Sequence, residues 1–378
     1  MNIVIAGGGT GGHVFPGIAV AREFKRILDD AEVTFIGTAE GIEARVVPKE
    51  GFDIKFIRSE GIVGRGAYKA ISSALKIPLS IKDSYRILKD LKTDVVLGVG
   101  GYCSGSVLLT AFLMGIPTII HEQNIIPGFT NKVLGKFADF VAVTYFESIN
   151  FFPKDKTHLT GNPIRDEILK GDRERGYRTF ALKKGLFTIF VFGGSSGASS
   201  INRGLGEALV YLEDYKDKIQ FLHQTGERDF NFVREFYHAK GFRGTVVPFT
   251  YDMADAYAVA DLVISRAGAT TIAELTTCGK AAILVPYPFA AGNHQVANAR
   301  KLWDIGAAQM ILDNELNGRT LSDLIRHLLE DPDGIGGIER ISRSIGRPNA
   351  TKKIFELMMS LAKKKGEAKT LLVKTNNE

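Results

Sequence analysis

Short apolar runs rich in Val, Ile and Phe recur along the chain, each ending in glycine or small polar residues. In the first half they fall at residues 2–6, 33–36, 54–57, 95–99, 118–120 and 140–143, and in the second at 187–192, 219–223, 245–248, 262–264 and 281–285. Runs that are apolar at successive rather than alternate positions predict strands covered on both faces. Several of the stretches between them carry apolar residues at helical spacing, as in 18–28 and again from about residue 200. Strand and helix in alternation require parallel pairing, because each return is a helical crossover. The chain therefore reads as α/β, with one doubly wound sheet in each half. Its sharpest stretch is 261–274, where the strand 262–264 meets a small-residue turn and then a helix bearing Thr270, Thr271 and Glu274.

One segment departs from this pattern. Between residues 68 and 92, Ile71, Leu75 and Leu79 recur at helical spacing among Lys69, Lys76, Lys82, Arg86, Lys89 and Lys92, and Pro78 predicts a break into two helices. Apolar and basic residues together suit a helix lying on an anionic lipid surface. An ordinary helix with its apolar face in the core produces the same pattern. At the far end, residues 350–361 predict a last helix, and the Lys-rich residues after it predict a disordered tail.

Composition narrows the class. A chain of 378 residues exceeds one ordinary core and fits two domains. With 45% hydrophobic and 24% charged residues it is a soluble globular composition, and 41 glycines imply many tight loops. A formal charge of +6 and a pI near 9.1 suit a phosphate-bearing ligand or an anionic membrane surface; no nucleic-acid partner is expected. Cys103 and Cys278 are far apart and offer no metal-ligand spacing, so free thiols in a reducing compartment are expected. No run is long enough for a membrane-spanning helix, and residues 2–6 lack a basic leader, which together predict a cytoplasmic protein able to meet a membrane face.

The candidate chemistry lies in the loops after the strands. Gly7, Gly9 and Gly12 satisfy the dinucleotide fingerprint, whose glycines allow backbone to approach a phosphate. No Gly-Lys-Ser/Thr follows, so this is not a P-loop; the loop exits instead through His13, a candidate base or a hydrogen-bonding residue at a helix start. A second glycine loop spans 98–105. His121-Glu122-Gln123-Asn124 is expected at the rim of the same cleft, and a metal site there is disfavoured because adjacent strand residues face apart. Residues 161–165 mark a domain boundary and place Arg165 beside the interdomain cleft. A third glycine loop, 193–198, would present Ser195 to a phosphate. The helix after Gly268 adds its amide dipole and the hydroxyls of Thr270 and Thr271, with Glu274 set to accept from vicinal ribose hydroxyls. Backbone near Thr250 could meet a flat base edge, while residues 292–299, with His294 and Gln295, open a helix whose amides can discriminate sugar hydroxyls. Asp331-Pro332-Asp333 resembles a metal-binding acidic pair, but aspartates flanking a proline before Gly334 read as a turn after a helix.

Taken together, Gly8-Gly9-Thr10-Gly11-Gly12-His13, Gly100-Gly101-Tyr102, His121-Glu122-Gln123-Asn124, Gly161-Asn162-Pro163-Ile164-Arg165, Gly193-Gly194-Ser195, the stretch from Ser265 through Glu274, and His294-Gln295 with Asn298-Ala299 closely resemble the MurG family of N-acetylglucosaminyltransferases. The resemblance runs in matching order over nearly the whole chain. It implies a GT-B fold, two Rossmann-like domains facing across a cleft: 1–162 for the acceptor and membrane, 163–341 for the nucleotide sugar, a helix at 342–362 crossing back, and the tail 363–378. It implies transfer of N-acetylglucosamine from UDP-N-acetylglucosamine to the undecaprenyl-linked acceptor lipid I, giving lipid II, by a peripheral protein on the cytoplasmic face of the inner membrane. Carried over by position, Thr250 meets uracil, Glu274 the ribose, and Ser195, Thr270 and Thr271 the diphosphate, with Asn124, Arg165, His294 and Gln295 also at the donor. Gly9 to Gly12 and Gly100, Gly101 and Tyr102 face the acceptor pyrophosphate, with Thr10, Gly11 and Gly12 also near the donor sugar. Ile71, Leu75, Lys76, Leu79 and Lys82 become the membrane contact, and His13 the candidate catalytic base. Ser196 and Thr250 stand where other members often differ. No cofactor is implied, and no essential metal.

Three rivals remain at this level. A nicotinamide-dependent oxidoreductase would use Gly7 to Gly12 with Glu40, but leaves the loops at Ser195 and Thr270 without a task. A UDP-sugar epimerase would need no lipid surface, and a sugar-nucleotide-binding regulator would bind the donor without turnover.

Overall fold

The computed structural model describes residues 1–59, 77–194 and 196–375, with side chains through 363. The chain divides into two compact units: Met1–Arg165 together with Pro348–Glu378, and Asp166–Arg347.

In the first unit β1 (Asn2–Gly7) leads to α1 (Gly11–Ile27), β2 (Glu32–Gly37), α2 (Glu43–Lys49), β3 (Asp53–Phe56) and α3 (Ile77–Asp90). Then follow β4 (Val95–Gly100), α4 (Tyr102–Leu113), β5 (Thr118–Glu122), α5 (Phe129–Leu134), β6 (Phe140–Val143) and β7 (Thr157–Leu159). The described strands form a parallel sheet in the order β3-β2-β1-β4-β5-β6-β7. Every residue of β4 and β5 is buried, as expected for strands with helices on both faces. Chain order reverses between β1 and β4, so the loops leaving their carboxyl ends diverge and open a crevice.

Pro78 is the second residue of α3, where its missing N–H would have no intrahelical partner anyway. The core-facing side of α3 is Ser80, Ser84 and Leu88, whereas Leu79 and Lys82 are exposed. Leu79 is thus not the core anchor of an ordinary surface helix. Ile71, Leu75 and Lys76 lie outside the described residues.

The second unit repeats the plan with α6 (Arg173–Thr179), β8 (Phe187–Phe192), α7 (Ser199–Ala208), β9 (Ile219–Gln224), α8 (Phe230–Lys240), β10 (Gly244–Val247) and α9 (Met253–Val259). It continues through β11 (Leu262–Ser265), α10 (Ala269–Cys278), β12 (Ala282–Leu284), α11 (His294–Asp304), β13 (Gln309–Met310), α12 (Gly318–Glu330) and α13 (Pro332–Ile345). Its parallel sheet runs β10-β9-β8-β11-β12-β13 and reverses between β8 and β11. Asp331-Pro332-Asp333 turns out to begin a helix rather than only end one: Asp331 accepts from Gly334 N at 2.8 Å and Pro332 sits in the first turn of α13.

The last helix, α14 (Ala350–Thr375), belongs to the first unit. Ile354, Phe355, Met358 and Leu361 enter the same apolar cluster as Ile3, Ile5, Ile18 and Phe24, with the Phe24 and Phe355 rings 4.7 Å apart. The helix continues past residue 361 to Thr375 where a disordered tail was expected, consistent with the helix-favouring Ala, Lys, Glu and Leu of that stretch.

Candidate functional site

In the first unit the chemistry gathers where β1 and β4 diverge. Their register slips between Ala6 and Gly7, pairing Gly7 with Gly100, and Gly8 N donates to Gly100 O at 3.3 Å. Side chains are excluded here by contact. A Cβ on Gly101 would lie 2.5 Å from Gly8 O, and one on Gly100 would lie 2.9 Å from the His13 ring. The loops carrying Gly9, Thr10, Gly11 and Gly12 and Gly100, Gly101 and Tyr102 are therefore side by side, with His13 against both. His13 Nδ1 is 3.1 Å from Gly8 O and 3.4 Å from Thr10 Oγ1. A carbonyl oxygen only accepts, so Nδ1 carries the proton and the neutral ring keeps its lone pair on Nε2.

The run His121-Glu122-Gln123-Asn124 departs from expectation. Its first three side chains are buried, not displayed at a rim. His121 donates through Nε2 to Gly161 O at 3.1 Å and accepts from Gln123 Nε2 at 3.2 Å, while Gln123 Nε2 also reaches Val99 O at 2.7 Å. Burial pushes His121 down to about 4, so it is a neutral tie between β5 and the segment leading to Arg165. Glu122 accepts from Asn124 N at 3.0 Å, Gly128 N at 3.2 Å and Asn131 Nδ2 at 2.8 Å, and burial pushes its carboxyl up. Only Asn124 of the four is partly exposed, and its amide also leans on Glu122 Oε1 at 3.3 Å. Arg165 lies with its guanidinium 4.9 Å over the Phe15 ring of α1.

In the second unit the corresponding loops follow β8 and β11. Ser195 lies outside the described residues; its neighbour Gly194 accepts from Gln224 Nε2 at 3.0 Å. The other end of that amide, Gln224 Oε1, accepts from Thr250 N at 3.1 Å. Gln224 thus ties the glycine loop to the Thr250 turn, and a base contact through Thr250 N–H requires that bond to break. Thr270 and Thr271 occupy the first turn of α10, and Glu274, one turn on, is buried and accepts from Tyr257 OH at 2.9 Å. Gln295 Oε1 accepts from Tyr287 N at 2.9 Å, and His294 Nδ1 lies 2.6 Å from Ala291 O.

Arg266, inside the stretch from Ser265 through Glu274, has no role legible in the sequence. Its guanidinium donates to Val285 O and Pro286 O, both at 3.2 Å, to Asp313 Oδ1 at 2.6 Å and to Ser200 Oγ at 2.8 Å. One side chain therefore staples the loops after β11 and β12 to the first turn of α7. No local pattern signals it, since its partners come from three other elements. Glu43 and Gln224 were missed for the same reason.

Beneath the glycine loop of this unit runs a buried polar chain. His223 Nε2 donates to Asn202 Oδ1 at 3.0 Å, its Nδ1 lies 3.2 Å from Tyr237 OH, and Asn202 Nδ2 reaches Asp229 Oδ2 at 2.9 Å. Burial pushes His223 down to about 3. The unfolded chain protonates below its ordinary value of about 6.5 while the native chain does not, so the native state loses stability as pH falls from about 6.5 toward 3. By pH 5 this one group should remove about 2 kcal/mol. Urea denaturation at pH 7, 6 and 5 checks it, and a His223→Gln variant should lose that part of the slope. His121 acts in the same direction in the first unit, partly opposed by Glu122.

Among the described residues no group of three or more His, Cys, Asp or Glu side chains could hold a metal ion, and no helix is long and apolar enough to cross a membrane. Residues 3–143 match the glycosyltransferase family 28 N-terminal domain, and residues 188–343 match the glycosyltransferase family 28 C-terminal domain. The chain is 49% identical over 365 residues, 97% of its length and 100% of the relative's, to the UDP-N-acetylglucosamine–N-acetylmuramyl-(pentapeptide) pyrophosphoryl-undecaprenol N-acetylglucosamine transferase of Thermodesulfovibrio yellowstonii. It is 47% identical to the enzyme of the same name from Myxococcus xanthus, covering 96% of this chain and 93% of the relative. Among solved structures it is similar to Acinetobacter baumannii MurG, with a TM-score of 0.77 and 32% identity over 95% of this chain and 99% of that one. A UDP-N-acetylglucosamine 2-epimerase from Neisseria meningitidis shares the fold, with a TM-score of 0.68 and 15% identity over 95% of this chain and 100% of that one.

Proposed function

The chain belongs to glycosyltransferase family 28 and, within it, to the MurG transferases, and from that premise we propose which of its residues perform the family's reaction. The reaction is inverting transfer of N-acetylglucosamine from UDP-N-acetylglucosamine to the C4 hydroxyl of the N-acetylmuramoyl unit of lipid I, on a GT-B fold. Membership removes the oxidoreductase, epimerase and regulator readings.

The single observation that carries the residue assignment is the corner at Gly8, Gly101 and His13. The acceptor pyrophosphate lies along the loops of Gly9 to Gly12 and Gly100 to Tyr102, whose lack of side chains admits a phosphate against backbone. His13 Nε2 takes the proton of the C4 hydroxyl as its oxygen attacks C1 of the donor sugar and the bond from C1 to UDP breaks. The charge left on UDP grows at the start of α10, where the helix dipole and the hydroxyls of Thr270 and Thr271 stabilise it, with Ser195 on the same diphosphate and Arg165 assigned to the donor. Glu274 holds the ribose, Thr250 the uracil, and Asn124, His294 and Gln295 the sugar.

No essential metal takes part in this reading, in which the start of α10 and the Thr270 and Thr271 hydroxyls carry the leaving group's charge. UDP release should depend on a lipid I analogue and change by less than about twofold in excess chelator. Loss of release on chelation, restored by magnesium or manganese, would overturn it.

The membrane reading widens. Leu79 on α3, Phe112 and Leu113 at the end of α4, and Phe137 after α5 are exposed, with the Phe112 and Phe137 rings 5.5 Å apart. Lys82, Arg86, Lys132 and Lys136 accompany them on the same elements. Apolar side chains at the acyl boundary with cations at the headgroups would hold the unit on an anionic cytoplasmic leaflet. Phe112→Glu combined with Leu113→Glu should weaken binding to phosphatidylglycerol vesicles by about tenfold or more, with turnover of a short-chain acceptor in detergent within about twofold. Unchanged vesicle binding would remove this surface.

A further inference from the structure

Glu43 heads α2 yet is 1% exposed. Its Oε2 accepts from Gly9 N at 2.8 Å, and its Oε1 accepts from Thr38 N at 3.0 Å and Thr38 Oγ1 at 2.9 Å. Three glycines make room for it: a Cβ on Gly8, Gly37 or Gly41 would come within 2.2, 2.5 or 2.1 Å of its side chain. A carboxyl group is costly to bury even when bonded, and here it lies against a loop read above as a phosphate cradle, where a negative group is out of place. Its use follows from which groups it touches. Gly9 N–H and Gly8 C=O are the two ends of one peptide unit, and Gly8 O accepts from His13 Nδ1 at 3.1 Å.

We propose that Glu43 is a positioning residue for His13 and acts on it through the Gly8–Gly9 peptide. The proposal rests on the reading of His13 as the base. A carboxylate on the N–H end polarises the peptide, so its carbonyl becomes a stronger acceptor for Nδ1–H. That fixes the tautomer with Nε2 unprotonated and stabilises the imidazolium that forms when Nε2 takes the acceptor hydroxyl's proton. A triad carboxylate does the same directly, and here one peptide intervenes. The Nδ1 proton stays on His13 and none passes along the peptide. Titratable groups at this corner include Tyr102 of the second glycine loop, His121 on β5, which burial pushes down to about 4, and Cys103 in the first turn of α4, whose thiol burial pushes up to about 12. Thr10 Oγ1, 3.4 Å from Nδ1, is a second polar contact on that nitrogen.

The test is Glu43→Gln in the full chain, with His13 titrated by NMR on histidine-labelled protein and steady-state kinetics run in parallel. The His13 midpoint should move to lower pH. The kcat should fall about tenfold, which corresponds to about 1.4 kcal/mol of lost transition-state stabilisation. KM for UDP-N-acetylglucosamine should stay within about twofold, and the substitution should cost nothing further in a His13→Ala background. If Glu43→Gln does not fold, the wild-type protein still decides: the Gly9 amide proton should shift with the same midpoint as His13. An unmoved His13 midpoint in the variant, or a Gly9 amide that ignores the His13 titration, overturns the link. A moved midpoint with unchanged kcat upholds the link and overturns His13 as the base.

Discussion

His13→Ala should lower kcat by about a hundredfold to ten-thousandfold, the range over which a positioned base contributes, with KM for UDP-N-acetylglucosamine changed by less than about threefold. The expectation follows from geometry. Nδ1 faces Gly8 O and Thr10 Oγ1, so Nε2 is the nitrogen assigned to the acceptor hydroxyl, and the ring stands against Gly100, at the glycine loop assigned to the acceptor. His13→Gln retains a polar group but no basic nitrogen, so it should be about as slow as His13→Ala. Initial-rate kinetics over both substrates separate the two constants. A His13→Ala enzyme with wild-type kcat would transfer the role of base elsewhere.

Gly101→Ala should lower kcat/KM for the acceptor by about a hundredfold, because displacing a reacting group by about 1 Å costs that much. Gly101 has φ 86° and ψ 170°, a region essentially confined to glycine. An added Cβ would also stand 2.5 Å from Gly8 O, the oxygen that holds His13. Relief requires the two glycine loops to separate and the imidazole to lose its anchor. Strain of this kind costs about 1–3 kcal/mol, so the variant should still fold but melt earlier. Donor affinity, measured by titration with UDP, should be nearly unchanged, since the donor contacts proposed above lie mainly on the other unit. Wild-type acceptor kinetics in a folded Gly101→Ala protein would show that the corner does not bind or orient the acceptor.

Much of the molecule was legible from local pattern. The apolar runs at 2–6, 95–99, 187–192 and 262–264 became the central strands of the two sheets, and the glycine loops after them stand at the two reversals of strand order. Each depends on neighbours a few residues away: buried strands need successive apolar side chains, and a loop that brings backbone close to another loop needs glycine. Misreadings fell where burial decides. His121, Glu122 and Gln123 are as polar in sequence as Asn124, but β5 extends through Glu122 and carries the first two inside, and Gln123 folds back onto Val99. The Lys-rich stretch after residue 361 continues, as far as Thr375, the helix anchored by Phe355 and Met358.

The sequence by itself determined the strand-loop-helix units, their parallel pairing and the glycine loops, because these rest on residues close together in the chain, and the family, because short local motifs recur in matching order along it. Only the tertiary structure decided which polar groups face substrate and which hold those that do. Gly9 and Glu43 are 34 residues apart, Val99 and Gln123 are 24 apart, and Gly161 and His121 are 40 apart. A buried polar side chain must find its partner wherever packing brings one, and that partner is set by the crossing of elements, not by spacing along the chain.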